Sequence, residues 1–234
     1  MKPFSCPQNN IQKEDIAVLG FRLFIVIGFQ IHCRKNNMDY NNYNDFNSEK
    51  EKCRDCCIGK IYDKVVLGDG CINPIVLVLG EAPGSDEVLQ GKPFVGKAGK
   101  LLRESLNKFG YNKSNTLISN TIPCRPENNK FPSDNKLVMD CVKKWLYNEI
   151  KLTNPKAILL IGATPTKFIL GKSGITKIRG NWFDFELDGK IYKCMPSLHP
   201  SYVLRKQYMK EGEEIKRNFL QDLESVAIIY LKEK

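Results

Sequence analysis

Three short runs in the chain gather residue types able to bind and polarise a small ring. The first is Gly80-Glu81-Ala82-Pro83-Gly84, followed by Gly91-Lys92-Pro93-Phe94-Val95-Gly96. Glycine and proline after a buried strand let backbone approach a ligand closely, and Glu81 brings a carboxylate to that approach. The second run starts at Asn120 and continues Thr-Ile-Pro-Cys-Arg-Pro. An asparagine amide offers an acceptor beside two donors, the complement of a pyrimidine edge, although at a strand end it is also a common turn former. The third run, Ser197 to Arg205, holds His199, one of only two histidines. A lone histidine is ordinarily a packed or surface residue. At a strand end, with apolar residues and an arginine after it, His199 becomes a candidate for acid–base or hydrogen-bonding work.

The cysteines suggest a second kind of chemistry. There are nine, an odd number, in a chain large enough to fold without staples, and no segment has the look of a cleavable secretory signal. In a reducing compartment, clustered cysteines are metal ligands more often than disulfide partners, and the expected location is the cytoplasm. Cys53 and Cys56 form a C-x-x-C pair of standard ligand spacing, with Cys57 able to compete for the second place. Cys124 lies just beyond Asn120, and Cys141 falls on the apolar face of a helix, where packing alone accounts for it. A zinc ribbon would offer a second C-x-x-C, whereas 16 residues separate Cys124 from Cys141. That spread suits a bulkier iron–sulfur cluster at least as well. Cys6, Cys33, Cys71 and Cys194 have no visible partners and are read as ordinary residues.

The elements that must hold these residues alternate between apolar runs and helical periodicity. Ile75–Gly80 reads as a buried strand, followed by a helix with Ala98, Leu102, Ser105, Leu106 and Phe109 on one face. Leu117–Asn120 is a second strand. Ser133 or Asp134 caps a helix whose face is Leu137, Val138, Cys141, Val142, Trp145 and Leu146. Ala157–Ile161 and Ile191–Met195 supply the third and fourth strands, and Ile215, Phe219, Leu223, Val226 and Tyr230 mark a closing amphipathic helix. Strands alternating with helices predict a three-layer α/β/α sandwich around a mostly parallel, four-stranded sheet. Ligands of such sheets sit outside the carboxyl ends of the strands, where all three runs fall.

Formal charge is +10 over 234 residues, which suits a polyanionic partner, although a solvated lysine-rich face would also account for it. Residues 16–31 are apolar enough to suggest a membrane segment, but they are short of the roughly 20 needed to span and include Arg22. No membrane association is expected. Residues 1–37 differ in character from the rest, and Met38 is an alternative start; without them the excess is still +7, from 31 basic and 24 acidic residues. Residues 1–52 are expected to be a poorly structured extension, with 38–52 a polar lead-in, and 53–234 the folded domain.

Taken together, GEAPGSDEVLQGKPFVGKAGKLL, NTIPCRP and LHPSYVLR resemble the thermophile-type, family 4 uracil-DNA glycosylases, which carry a [4Fe–4S] cluster. The resemblance runs from residue 53 to about 230. The first motif is highly specific; the histidine motif is shared across the superfamily. The resemblance implies a repair enzyme that hydrolyses the N-glycosidic bond of uracil in single- and double-stranded DNA. It implies that Phe94 stacks on the flipped base, Asn120 reads its edge and His199 meets uracil O2. Gly80, Glu81 and Ala82 would line the glycosidic bond, and Cys53, Cys56, Cys124 and Cys141 would hold the cluster, with zinc the less favoured metal. Superfamily members that carry an aspartate at the Ala82 position use it to activate water. Here that role passes to Glu81, with Glu87 as second candidate. Val203 and Leu204 are the expected wedges into the duplex. Arg205, Arg125, Lys60 and Arg54 are expected to meet phosphates.

Rival readings are a sister glycosylase with another base preference (a G:T mismatch or hypoxanthine) and a non-enzymatic nucleic-acid binder with a metal knot. A polar residue at position 81 favours uracil over the first, and the second leaves Glu81, Phe94, Asn120 and His199 without a purpose. A phosphate-binding enzyme ranks last, because the loop lacks a P-loop's lysine and hydroxyl. The protein is expected to act as a monomer, with a sliding clamp or polymerase as possible further partners.

Overall fold

A computed structural model of the chain describes residues 40–231, apart from 41, 62 and 63. The apolar stretch at 16–31 and the alternative start at 38 lie outside the described residues. In chain order the elements are α1 (Tyr43–Glu51), α2 (Cys57–Ile61), β1 (Asp69–Gly70), β2 (Val76–Gly80), α3 (Ser85–Gln90), α4 (Lys97–Lys108) and β3 (Thr116–Asn120). α5 (Asn135–Cys141) passes through a π-helical turn, Val142–Leu146, into α6 (Tyr147–Thr153) and β4 (Ala157–Ile161). Then come α7 (Ala163–Leu170), α8 (Ile175–Ile178), β5 (Phe183–Leu187), β6 (Lys190–Ser197), α9 (Pro200–Lys206) and α10 (Gly212–Tyr230).

The strands form one six-stranded sheet in the order β1-β3-β2-β4-β6-β5. β3, β2, β4 and β6 are mutually parallel and correspond to the four strands expected from sequence. The sheet departs from the four-stranded expectation through β1 and β5, which pair antiparallel at its two edges. Every residue of β2, β3 and β4 is buried, as a parallel sheet covered on both sides requires. Alternate residues serve opposite layers. Leu77, Leu79, Leu117, Ile158 and Leu160 pack with residues of α1, α5, α6 and α7. Val76, Val78, Ile118, Leu159 and Ile161 pack with residues of α4, α9 and α10. The sandwich is therefore three layers deep. Pro196 is tolerated within β6 because β5 pairs only as far as Cys194, so its missing N–H falls beyond the ladder on that side.

The segment expected to be a loose lead-in is ordered from α1 onward. Asn42 caps the helix by accepting from Asn44 and Asp45 amides, and Phe46 is fully buried. Lys50, only 2% exposed, pairs with fully buried Glu149 at 3.1 Å. The same carboxylate accepts from Tyr43 Oη at 2.9 Å and Ser119 Oγ at 2.7 Å. A buried carboxylate must be paired and hydrogen-bonded to be tolerated, and α1 supplies two of its three partners. The folded unit thus starts near Tyr40, ahead of the expected boundary at Cys53.

Candidate active site

Chain order and strand order diverge at β2: β3 is laid down on one side of it and β4 on the other. This opens the crevice at the carboxyl ends where such sheets bind ligands. Gly80 ends β2 and is in register with Asn120, which ends β3. A β-carbon at Gly80 would lie 2.4 Å from Phe94 Cζ and 2.6 Å from Asn120 Oδ1, so ring and amide meet over the glycine. Only hydrogen fits there. Asn120 is 6% exposed, and among the described residues its side-chain amide has no hydrogen-bond partner.

Phe94 has φ +54, a left-handed conformation that costs an aromatic residue on the order of 1–3 kcal/mol and must be held from outside. Helix α4 holds it. A β-carbon at Gly99 would come within 2.1 Å of the Phe94 carbonyl carbon, so the loop lies directly on that glycine. Arg103 donates from Nε to Phe94 O at 2.9 Å, and from Nη2 to Pro93 O at 2.6 Å and Asp69 Oδ2 at 2.9 Å. The spacing of GKPFVGKAGKLL is thereby explained by one clamped aromatic ring.

His199 caps α9, and its ring centroid is 6.0 Å from that of Phe94, tilted by 33°. Its Nδ1 accepts the Ser201 backbone N–H at 3.1 Å and lies 2.7 Å from Ser201 Oγ. An acceptor nitrogen carries no proton, so the proton of the neutral ring sits on Nε2. Burial, with the Arg205 guanidinium second and Glu87 opposing, pulls the imidazole down to about 4. Arg205 Nη1 also donates to Ser201 Oγ at 3.2 Å. Behind the histidine, Ser197 Oγ donates to buried Asp222 at 2.8 Å, and Arg179 clamps that carboxylate, fixing the end of β6.

Glu81, half-buried, stands at the mouth of β2 and accepts from Thr164 Oγ1 at 2.5 Å. Ala82 is half-buried beside it against the core. Glu87 does not suit the water-handling role considered for it. Its Oε2 accepts Gly84 N–H at 3.0 Å, and its Oε1 accepts Val95 and Gly96 N–H at 2.9 Å each. It is a brace between the two glycine-rich loops. Val203 is also misplaced as a wedge: it is 2% exposed, among Leu198, Ile215 and Phe219. Leu204 is half-buried and Arg205 exposed, so the outward face of α9 begins one residue later. Arg125 is half-buried, with Nε donating to Asn129 Oδ1 at 2.9 Å.

Cys124 lies in the core, and Cys53, Cys56 and Cys141 pack against the same buried cluster. Burial pushes the Cys124 thiol up to about 12, helped by Cys56 and Cys53, and raises Cys141 through burial and the three other thiols. Cys57, by contrast, is exposed at the start of α2. Trp145 Nε1 donates to Cys53 Sγ at 3.3 Å. Among the described residues no three cysteine, histidine or acidic side chains stand as ligands of a single metal ion. Nor, among them, is any helix long and apolar enough to cross a membrane.

Reading the sequence alone misses Arg103, Ser201 as the partner of His199, and the turn Gly162–Thr164. A β-carbon at Gly162 (φ +103) would come within 3.2 Å of His199 Cβ, so this turn walls the site from the β4 side. Gly162 directly follows the apolar run Ala157–Ile161 in the sequence, whereas Thr164 carries no signal there.

A family model described as the Uracil DNA glycosylase superfamily matches residues 67–224. The chain is similar to a type-4 uracil-DNA glycosylase of Thermotoga maritima, 36% identical over 185 residues, spanning 78% of this chain and 92% of the relative. Similar proteins of the same description occur in Archaeoglobus fulgidus (34% over 175 residues, 73% and 87% of the two chains). Another is found in Saccharolobus solfataricus (32% over 162 residues, 67% and 74%).

Proposed function

The chain belongs to the uracil DNA glycosylase superfamily, and from that membership we propose that it hydrolyses the N-glycosidic bond of uracil in DNA, releasing free uracil and leaving an abasic site. The observation that carries this reading is the meeting of Phe94, Asn120 and His199 at the carboxyl ends of parallel strands. A base must leave the stack before its sugar bond is reachable, at a cost of a few kcal/mol. Stacking on Phe94 returns about 1–3 kcal/mol of that. Asn120 matches its amide to the uracil edge; cytosine would leave buried donors or acceptors unpaired. Breaking the bond places negative charge on the base, and the Nε2–H of neutral His199 donates to O2 as that charge grows. Glu81 orients the water and, with the DNA phosphates, offsets the positive charge on the sugar. Single- and double-stranded DNA are both substrates in this reading, and the basic surface supplies the affinity.

The four thiols also fit the iron–sulfur cluster that the resemblance to family 4 implies. Burial raises the Cys124 and Cys141 thiols and makes them inert in the free form, and a metal centre bound there would stabilise them as thiolates. Cys53, Cys56, Cys124 and Cys141 would hold it, and when bound it supplies a cross-link between the Cys53–Cys56 loop and the segment after Asn120. The reaction needs no electron from it. Working as a monomer in the reducing cytoplasm belongs to the same reading.

The test is uracil release from uracil-containing single-stranded DNA by the wild type beside His199→Ala and Glu81→Ala. Free uracil and an alkali-labile site should appear with the wild type and fall by about 10²-fold or more in both variants. Wild type that binds this DNA yet releases no base would overturn the reading.

A further inference from the structure

We propose that Thr164 is the positioning residue that aims the Glu81 carboxylate, an inference that rests on Glu81 being the group that orients water. Thr164 stands in the first turn of α7, far from Glu81 in sequence, and its hydroxyl donates to Glu81 Oε2 at 2.5 Å. The Glu81 backbone is already fixed, because its carbonyl accepts the Ile122 N–H at 3.2 Å. The side chain is a separate matter. A glutamate has three rotatable bonds and loses considerable rotamer freedom on ordering, so one charge-assisted O–H···O⁻ bond decides which rotamer it keeps. The β-branch of threonine stiffens χ1 and directs that hydroxyl. Among the described residues Glu81 has no other side-chain hydrogen bond, so the protein does not occupy its second oxygen, Oε1.

The turn that carries Thr164 also touches the other catalytic group. Gly162 abuts His199, and its N–H donates to Ser197 O at 2.9 Å. One short connection after β4 therefore sets both the carboxylate and the imidazole, which must act on opposite ends of the same breaking bond. Thr164 meets no reacting atom in this scheme. It works through Glu81.

The experiment measures kcat and KM for uracil release from a single-stranded oligonucleotide with Thr164→Val, Thr164→Ser, Glu81→Ala and the Thr164→Val/Glu81→Ala double variant. Thr164→Val should lower kcat about 10- to 100-fold, the scale of a misplaced catalytic group, with KM within about twofold. Thr164→Ser, which keeps the donor, should restore most of the rate. In the Glu81→Ala background, Thr164→Val should cost nothing more. If the two losses multiply, or if Thr164→Val is as fast as wild type while Glu81→Ala is slow, the proposal is overturned and Glu81 keeps its role. A Glu81→Ala enzyme at wild-type rate would instead remove the premise for Glu81, and the proposal with it.

Discussion

Ser119 and Asn120, neighbours in β3, point to opposite faces of the sheet: the Ser119 hydroxyl is fastened to buried Glu149 at 2.7 Å, while Asn120 Oδ1 faces Gly80 and the Phe94 ring. The two-residue period of a strand makes this division unavoidable. One residue anchors the strand end, and the next stays available to a base.

Asn120→Asp should slow uracil release by about 10² to 10³-fold, the scale of losing one preorganised contact at the transition state. Free uracil quantified in single-turnover assays gives the answer. A rate within threefold of wild type would take the reading role from Asn120.

His199 should leave no break near its ordinary pKa in the pH–rate profile. Its folded value is lowered to about 4, so the ring stays neutral and competent as pH falls through 6.5, and its acid limb appears near about 4. The same depression means that folding stability from this group is present above 6.5 and is lost as pH falls from there toward 4. Arg205→Gln removes the second cause of the lowering and should move the acid limb upward. Single-turnover rates between pH 4 and 8 check both statements.

Lys50→Met should destabilise the fold by about 3–5 kcal/mol, because Glu149 would keep its burial and lose the one cation paired with it among the described residues. Adding Glu149→Gln should recover part of the loss. Denaturant midpoints of the three proteins decide it, and an unchanged midpoint for Lys50→Met would mean α1 is not an integral part of the fold.

Val203→Ala and Leu204→Ala should fail in different ways. The first empties space in the core and costs about 1–3 kcal/mol of stability. The second should leave stability nearly intact and slow excision from duplex DNA more than from single strands. Thermal melts beside rates on the two substrates separate them.

The purified protein should be brown from thiolate-bound iron, and Cys124→Ser should bleach it. Iron and zinc assays on protein prepared without air test this. A colourless wild type loaded with zinc would remove the cluster.

β2 and β4 were legible because each is a continuous apolar run, the mark of burial on both faces, whereas β6 is interrupted by exposed Lys193 and β3 ends in the polar pair Ser119-Asn120. β1 has two residues and no period to detect. β5 did carry a signal, with Phe185 and Leu187 inward and Asp184 and Glu186 outward. The motifs located Phe94, Asn120 and His199, but not what holds them. Arg103, Thr164 and Glu149 act across long sequence distances, where periodicity is silent. Val203 was open to correction from spacing alone: once α9 starts at Pro200, positions 200 and 203 share its buried side. Glu87 was misjudged because a carboxylate in a glycine-rich loop looks the same in sequence whether it faces solvent or amides.

Val203 ties the helix behind His199 into the buried cluster that holds Ile215 and Phe219 of α10. A helix anchored in this way is expected to leave the bending to the strand being repaired, against the nucleic acid's own stiffness. A uracil that is mispaired, or set beside an easily unstacked step, starts part-way along that path. The order in which lesions are cleared should then follow the compliance of the surrounding DNA rather than any base it spells.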